Sequence, residues 1–148
     1  MDKNIAEFMV RAKKAVFGGG VKKSESTRPN SKDFQYTEGS LKYIDTYLGG
    51  ANFAGHEALW RDDTPFWSMN YIGRTLEKDS SINFNFLTEA LLLVSEEYPY
   101  RGPLQYENGD YSYKCTIDGD FHWFSGSEEI FLKGTKVYEL IFHGGNVK

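Results

Sequence analysis

The sequence predicts an α+β domain, a mainly antiparallel sheet with an N-terminal helix and a central helix. Three observations lead there. An apolar stripe at helical spacing occupies residues 3–17. Alternating, aromatic-rich segments separated by turn residues fill most of the chain from residue 34 onward. A second helical stripe interrupts them at about 84–97.

The first helix rests on Ile5, Phe8, Met9, Ala12 and Val16, which recur near i, i+3, i+4 and i+7. Asp2 is placed to cap its start. Lys13 and Lys14 fall in the last turn, where the helix dipole favours cations. Gly18-Gly19-Gly20 ends it. Residues 18–33, rich in Gly, Ser, Lys and Asn, read as a flexible linker. The β-rich body then covers 34–148. Its first strands, 34–36 and 41–48, flank a turn at Glu38-Gly39-Ser40. Strands 53–60 and 66–73 make a hairpin around Asp62-Asp63. The central helix carries Phe84, Leu87, Leu91 and Val94 on one face. Asn83 or Asn85 is its candidate cap, and Pro99 lies just beyond its end. Tyr98-Pro99-Tyr100-Arg101-Gly102-Pro103 is a stiff aromatic loop. Strands 111–117, 121–132 and 135–142 follow, with turns at Asp118-Gly119-Asp120 and Lys133-Gly134.

Composition narrows the class. The 148 residues make one domain, and 40% apolar content supports a core. Aromatic residues form 16% of the chain, which excludes an intrinsically disordered one. The net charge of −4 disfavours a global attraction to nucleic acid or anionic lipid. Cys115 is the one cysteine, so no intrachain disulfide exists, and its strand-like surroundings read as a buried, inert thiol. The N-terminus has no signal-peptide pattern, and the longest apolar run, Ala90-Leu91-Leu92-Leu93-Val94, is far too short for a membrane span. The expected setting is the cytoplasm.

Residues 53–73 resemble 124–144 at an offset of 71, with Phe, Gly, Glu, Thr and Gly identical. Either the chain contains a duplicated β-hairpin unit, or two aromatic hairpins simply look alike. With turns at Asp62-Asp63 and Lys133-Gly134, regular pairing sets Leu59 opposite Phe66, Glu57 opposite Ser68 and Phe53 opposite Ile72. In the second hairpin it sets Ile130 opposite Val137, Glu128 opposite Glu139 and Phe124 opposite His143. Each hairpin then has one strongly apolar face and one mixed face bearing a glutamate. A bulge at Gly55 or Gly126 inverts that assignment locally.

Several motifs together, among them Tyr43-Ile44-Asp45-Thr46-Tyr47-Leu48-Gly49-Gly50, Trp67-Ser68-Met69-Asn70-Tyr71-x-Gly73-Arg74, Pro99-Tyr100-Arg101-Gly102-Pro103 and Gly119-Asp120-Phe121-x-Trp123-Phe124-x-Gly126-x-Glu128, carry a resemblance. The chain resembles a bacterial family of small domains of unknown function, some of whose members carry the domain behind an Xre-type helix-turn-helix. The resemblance covers nearly the whole chain and implies, for some relatives, an association with transcriptional control. It brings no known activity. This chain, with one helix before residue 34, looks like the stand-alone form.

Residue chemistry leaves three readings. Aromatic side chains cluster with polar ones, as in small-molecule pockets. The leading expectation is therefore a ligand-binding or sensor module using Glu57, Asn70, Arg74, Arg101, Glu128 and His143. A hydrolase-like enzyme with Glu57 and Glu128 as paired carboxylates is the second. A protein-interaction or homodimerisation module built on exposed aromatics is the third. No cofactor is expected, because neither a Walker sequence nor a Gly-x-Gly-x-x-Gly after a strand occurs. No metal site is expected, although His122, Glu128 and His143 approach one another under the pairing above.

Overall fold

Asp2 starts the first helix as its charge and position suggest. Its carboxylate accepts a 3.0 Å bond from the backbone N–H of Asn4, and α1 runs over Lys3–Phe17. Gly18 and Gly19 close it by donating to the carbonyls of Lys14 and Val16. The computed structural model describes residues 1–76 and 84–148. Eight strands follow α1: β1 (Lys32–Glu38), β2 (Leu41–Gly49), β3 (Asn52–Arg61), β4 (Thr64–Thr75), β5 (Gln105–Asn108), β6 (Tyr111–Asp120), β7 (Trp123–Leu132) and β8 (Thr135–Asn146). The central helix α2 spans Phe84–Leu91. All neighbouring strands pair antiparallel in one sheet, in the order β1-β2-β3-β4-β8-β7-β6-β5. No described helix is long and apolar enough to cross a membrane.

The sheet divides into two four-stranded meanders joined at β4 and β8. Tyr71 faces Phe142 across that seam. One face of the sheet is covered. Phe8, Met9 and Ala12 of α1 join Tyr43, Leu59 and Trp67 in the core, and Phe86 of α2 stacks on Tyr106 and Tyr111 at 5.5 and 5.1 Å. Trp67 stacks between Phe121 and Phe124, and its indole N–H donates to the Phe121 carbonyl. The other face carries exposed polar and apolar side chains, including Ile72 and Ile141.

Several boundaries differ from expectation. The central helix stops at Leu91 rather than 97. Its end tightens into three-residue bonds, from Leu93 N–H to Ala90 and from Val94 N–H to Leu91, which turn Val94 inward. Asn83 lies outside the described residues, and Asn85 sits within α2. The segment 18–33 is not a free linker at its far end. Asp33, buried in β1, accepts bonds from Thr27, Ser31 and Thr46, and Ser24 bridges to it. Strand β5 was too short and polar to be read from its pattern. The turn between β6 and β7 falls at Phe121-His122, three residues beyond the expected start of the turn.

The hairpin register also differs, by one residue, and the difference decides where the glutamates lie. The turns are where the sequence places them: Asp62, Asp63, Lys133 and Gly134 all have positive φ, as a tight two-residue hairpin requires. A one-residue shift then follows between Leu59 and Trp60, and again between Ile130 and Phe131. Leu59 faces Trp67, Glu57 faces Met69 and Phe53 faces Gly73. In the second hairpin Ile130 faces Tyr138, Glu128 faces Leu140 and Phe124 faces Gly144. Both glutamates therefore lie on the apolar, covered face. The irregularity sits next to the turn, not at Gly55 or Gly126.

Those two glycines have another reason to be glycine. A Cβ on Gly55 would overlap the Tyr71 ring, and one on Gly126 would overlap the Phe142 ring. Gly55→Ala is expected to cost about 1–3 kcal/mol by overpacking. It also pushes the Tyr71 hydroxyl away from its partner. Urea unfolding checks the first effect, and the ultraviolet absorbance of tyrosine checks the second.

Candidate functional site

Alternation along β2 and β3 sends Tyr43, Asp45 and Glu57 to the same covered face. Asp45 and Glu57 are direct cross-strand partners. Glu57 is fully buried and pairs with the Lys13 ammonium at 3.0 Å, while the Tyr43 hydroxyl donates to its other oxygen. Lys13 also donates to the Tyr100 carbonyl at 2.5 Å, tying α1 to the loop before β5. On the other half of the sheet Glu128, also fully buried, receives a two-pronged contact from Arg101 at 3.1 and 2.8 Å. The hydroxyls of Tyr113 and Tyr138 donate to it at 2.5 and 2.9 Å. Arg101 lies over the Tyr71 ring, 5.4 Å from its centroid, and Tyr71 donates to Asp45 Oδ1 at 2.6 Å. One polar network thus runs through the core beneath both helices.

Electrostatics single out Asp45. Burial, with Glu57 alongside, pushes its carboxyl up to about 7. Burial also lowers the Lys13 ammonium, against the pull of Glu57. Burial is the largest single influence on Arg101 and works against its charge, but the charge and hydrogen bonds of Glu128, with Tyr138 and Tyr113, together outweigh it and hold the guanidinium well above its ordinary range. The two cations each have a dedicated carboxylate, so Asp45 is the surplus acid of the cluster. Cys115 is buried, and desolvation pushes its thiol up to about 12, which keeps it protonated and unreactive at neutral pH.

Of the six candidate residues, the structure brings Glu57, Arg101 and Glu128 into this network. Asn70, Arg74 and His143 lie on the opposite, exposed face. Asn70 and His143 face each other across β4 and β8, and Arg74 pairs with Glu139 at 2.6 Å. The two sets do not share a site. Arg101, expected on a stiff loop, lies there and is buried. His143 projects away from Glu128, His122 contacts Asn146, and no metal-binding cluster occurs among the described residues. The hydrolase reading of Glu57 and Glu128 finds no support in this geometry. Both carboxylates are sealed from solvent and saturated by donors, so neither can reach a water or a substrate.

Sequence reasoning missed Asp45, Tyr71 and Lys13 as site residues. A signal existed for two of them. Asp45 alternates with Tyr43 and Tyr47, which places an acid on a core-facing position of a strand. Lys13 stands four residues after Met9 on the apolar stripe of α1.

A cleft of about 410 Å³ opens between the end of α1, α2 and the β1–β4 half of the sheet. Val16, Phe34, Phe53, Leu87 and Leu91 line it, together with the buried Asp45, Tyr71 and Arg101. Asp45 is only 5% exposed, yet among the described residues its Oδ2 has no hydrogen-bond partner. No fully buried side-chain oxygen or nitrogen of those residues lacks one, so Oδ2 opens onto the cleft. A second hollow, about 600 Å³, lies on the outer face between Leu48, Ile72, Arg74 and Ile141. Its charged groups, Arg74 and Glu139, satisfy each other.

The profile of a family described as "Domain of unknown function (DUF5680)" matches residues 45–147. No curated protein and no solved structure matches the chain.

Proposed function

The chain belongs to the DUF5680 family of domains of unknown function, and we propose that it is a small-molecule-binding module whose ligand occupies the cleft between α1, α2 and the β1–β4 half of the sheet. The carrying observation is the Asp45 carboxyl, buried in the lining of an apolar, aromatic-walled cleft with one oxygen that has no partner among the described residues. Binding sites for small molecules have this construction, with apolar walls and few placed polar groups.

The reading gains support if the fold is a duplication of one β-hairpin unit. Strands β3 and β7 have the same bounds at an offset of 71, as do β4 and β8, and both pairs carry the register shift at the matching position. At an offset of 70, Tyr43 and Asp45 of β2 match Tyr113 and Cys115 of β6 by their partners across the sheet. The halves differ where it matters. Asp45 corresponds to Cys115, and Tyr71 corresponds to Phe142. The core of one half thus closes without a carboxyl at this position, so the fold itself does not require one. In the second half Tyr100 packs on Phe124 at 4.5 Å, where Phe53, the counterpart of Phe124, faces the open cleft.

Thermal-shift screening against a library of small aromatic and aliphatic metabolites tests the proposal. Ligands that bind only the native state raise its melting temperature. The rise is expected to vanish in Val16→Trp, which fills the cleft from α1. Hits that persist unchanged in that variant bind elsewhere and overturn the reading.

A further inference from the structure

The chemistry of the cleft restricts what it can hold. We infer that the ligand is an organic amine with an apolar body, its ammonium paired with Asp45 and its body against the aromatic wall. The inference rests on the cleft being the binding site.

Three observations select a cation. The first is the free Oδ2 of Asp45, an acceptor with no donor among the described residues. Once the carboxyl is ionised, an incoming N–H or O–H group satisfies this oxygen and an incoming carboxylate does not.

The second is the balance of charge. Among the described residues the charged groups that bear on Asp45 are paired with one another: Glu57 on β3 holds Lys13 of α1, and Arg101 of the loop before β5 holds Glu128 with both ends of its fork. Tyr71 on β4 is a neutral donor, and Phe34, opposite on β1, is apolar. Lys32 of β1 also lines the cleft, and its ammonium is engaged there, donating to the Gly49 carbonyl and lying over the Tyr47 ring. An anionic ligand would have to draw Arg101 from Glu128 or Lys32 from the Gly49 carbonyl, and in either case lie beside Asp45. A monocation leaves both ion pairs intact and neutralises the one surplus acid.

The third is the wall. Phe34 stacks on Tyr47, and the edge-to-face series Tyr47–Phe53–Tyr71 has centroid spacings of 6.4 and 6.0 Å. Aromatic faces attract an ammonium, and more strongly where water is excluded. The volume of about 410 Å³ accommodates a body of one or two rings.

Protonation follows the same logic. The Asp45 carboxyl titrates near 7 in the unliganded protein. A bound ammonium favours its ionised form, so amine binding releases a proton near neutral pH and weakens as pH falls below 7.

Three probes of matched shape, naphthylmethylamine, naphthylmethanol and naphthoate, test this by calorimetry at pH 8 on the whole protein. The amine is expected to bind at least about tenfold more tightly than the alcohol, with naphthoate weakest. Repeating the titration at pH 7 in buffers of different ionisation enthalpy should reveal proton release. In Asp45→Asn the amine is expected to lose its advantage while the alcohol still binds. Equal binding of amine and alcohol to the native protein overturns the inference and leaves the cleft reading standing. So does an amine preference that survives in Asp45→Asn. If none of the three binds at millimolar concentration, both the inference and the cleft reading fall.

Discussion

Replacing Asp45 with Asn stabilises the protein more at pH 8 than at pH 5, by about 2–3 kcal/mol. The cause is a mismatch between two titrations. In the unfolded chain the carboxyl titrates near the ordinary 3.8; in the folded one it titrates near 7, because burial and the neighbouring Glu57 oppose its charge. Below the unfolded value both states hold the proton. Between the two values the unfolded chain releases it and the folded protein keeps it, so stability falls as pH rises. Above 7 both states are ionised and the loss levels off. Asn has the shape of the protonated acid, still accepts from Tyr71 and never titrates. The advantage of the variant therefore grows from pH 5 to pH 7 and is flat beyond. Urea unfolding of both proteins across that range measures it, and comparison at each pH cancels the titration of every other group. A variant that is less stable than the native protein by the same amount at all pH values would show that Asp45 is charged and structurally paired. A native protein that keeps so costly a group has a use for it, which is why this residue anchors the functional proposal.

Much of the frame was legible in the sequence because it rests on local rules. Asp2 and Gly18 bound α1 where the capping rules place them. The turn pairs Asp62-Asp63 and Lys133-Gly134 locate the hairpins, since few residues accept positive φ. What failed was whatever depended on counting along a strand. Period-2 alternation tolerates no error, and one extra residue beside each turn moved Glu57 and Glu128 from the mixed face to the core. Nothing local announces such a shift. The site was hidden for a related reason. Lys13 and Glu57 are 44 residues apart, and Arg101 and Glu128 are 27 apart. Residue type marks Glu57, Arg101 and Glu128 as candidates, but not which cation meets which carboxylate. Only the closure of helices over the sheet makes their burial, and hence their pairing, necessary.

That pairing is not equally strong in the two halves of the sheet, and removing the glutamates separates them. Glu128→Ala is expected to destabilise the protein by about 3–5 kcal/mol, the cost of leaving a buried charge without its partner. Arg101 is 4% exposed and cannot shed its proton, so the variant must strand a guanidinium in the core or expose it by opening the loop before β5. The hydroxyls of Tyr113 and Tyr138 lose their acceptor in the same step. Glu57→Ala is expected to cost less. Burial already lowers the Lys13 ammonium, so a lysine without its carboxylate can become neutral, and it retains the Tyr100 carbonyl as an acceptor. Urea unfolding should therefore rank Glu128→Ala below Glu57→Ala in stability. A double substitution, Arg101→Leu with Glu128→Leu, should recover most of the loss, because it removes the stranded charge together with its partner. If the losses of Arg101→Leu and Glu128→Leu, each measured alone, instead add in the double variant, Arg101 and Glu128 act independently. The network would then be a set of separate contacts rather than one coupled pair beneath the cleft.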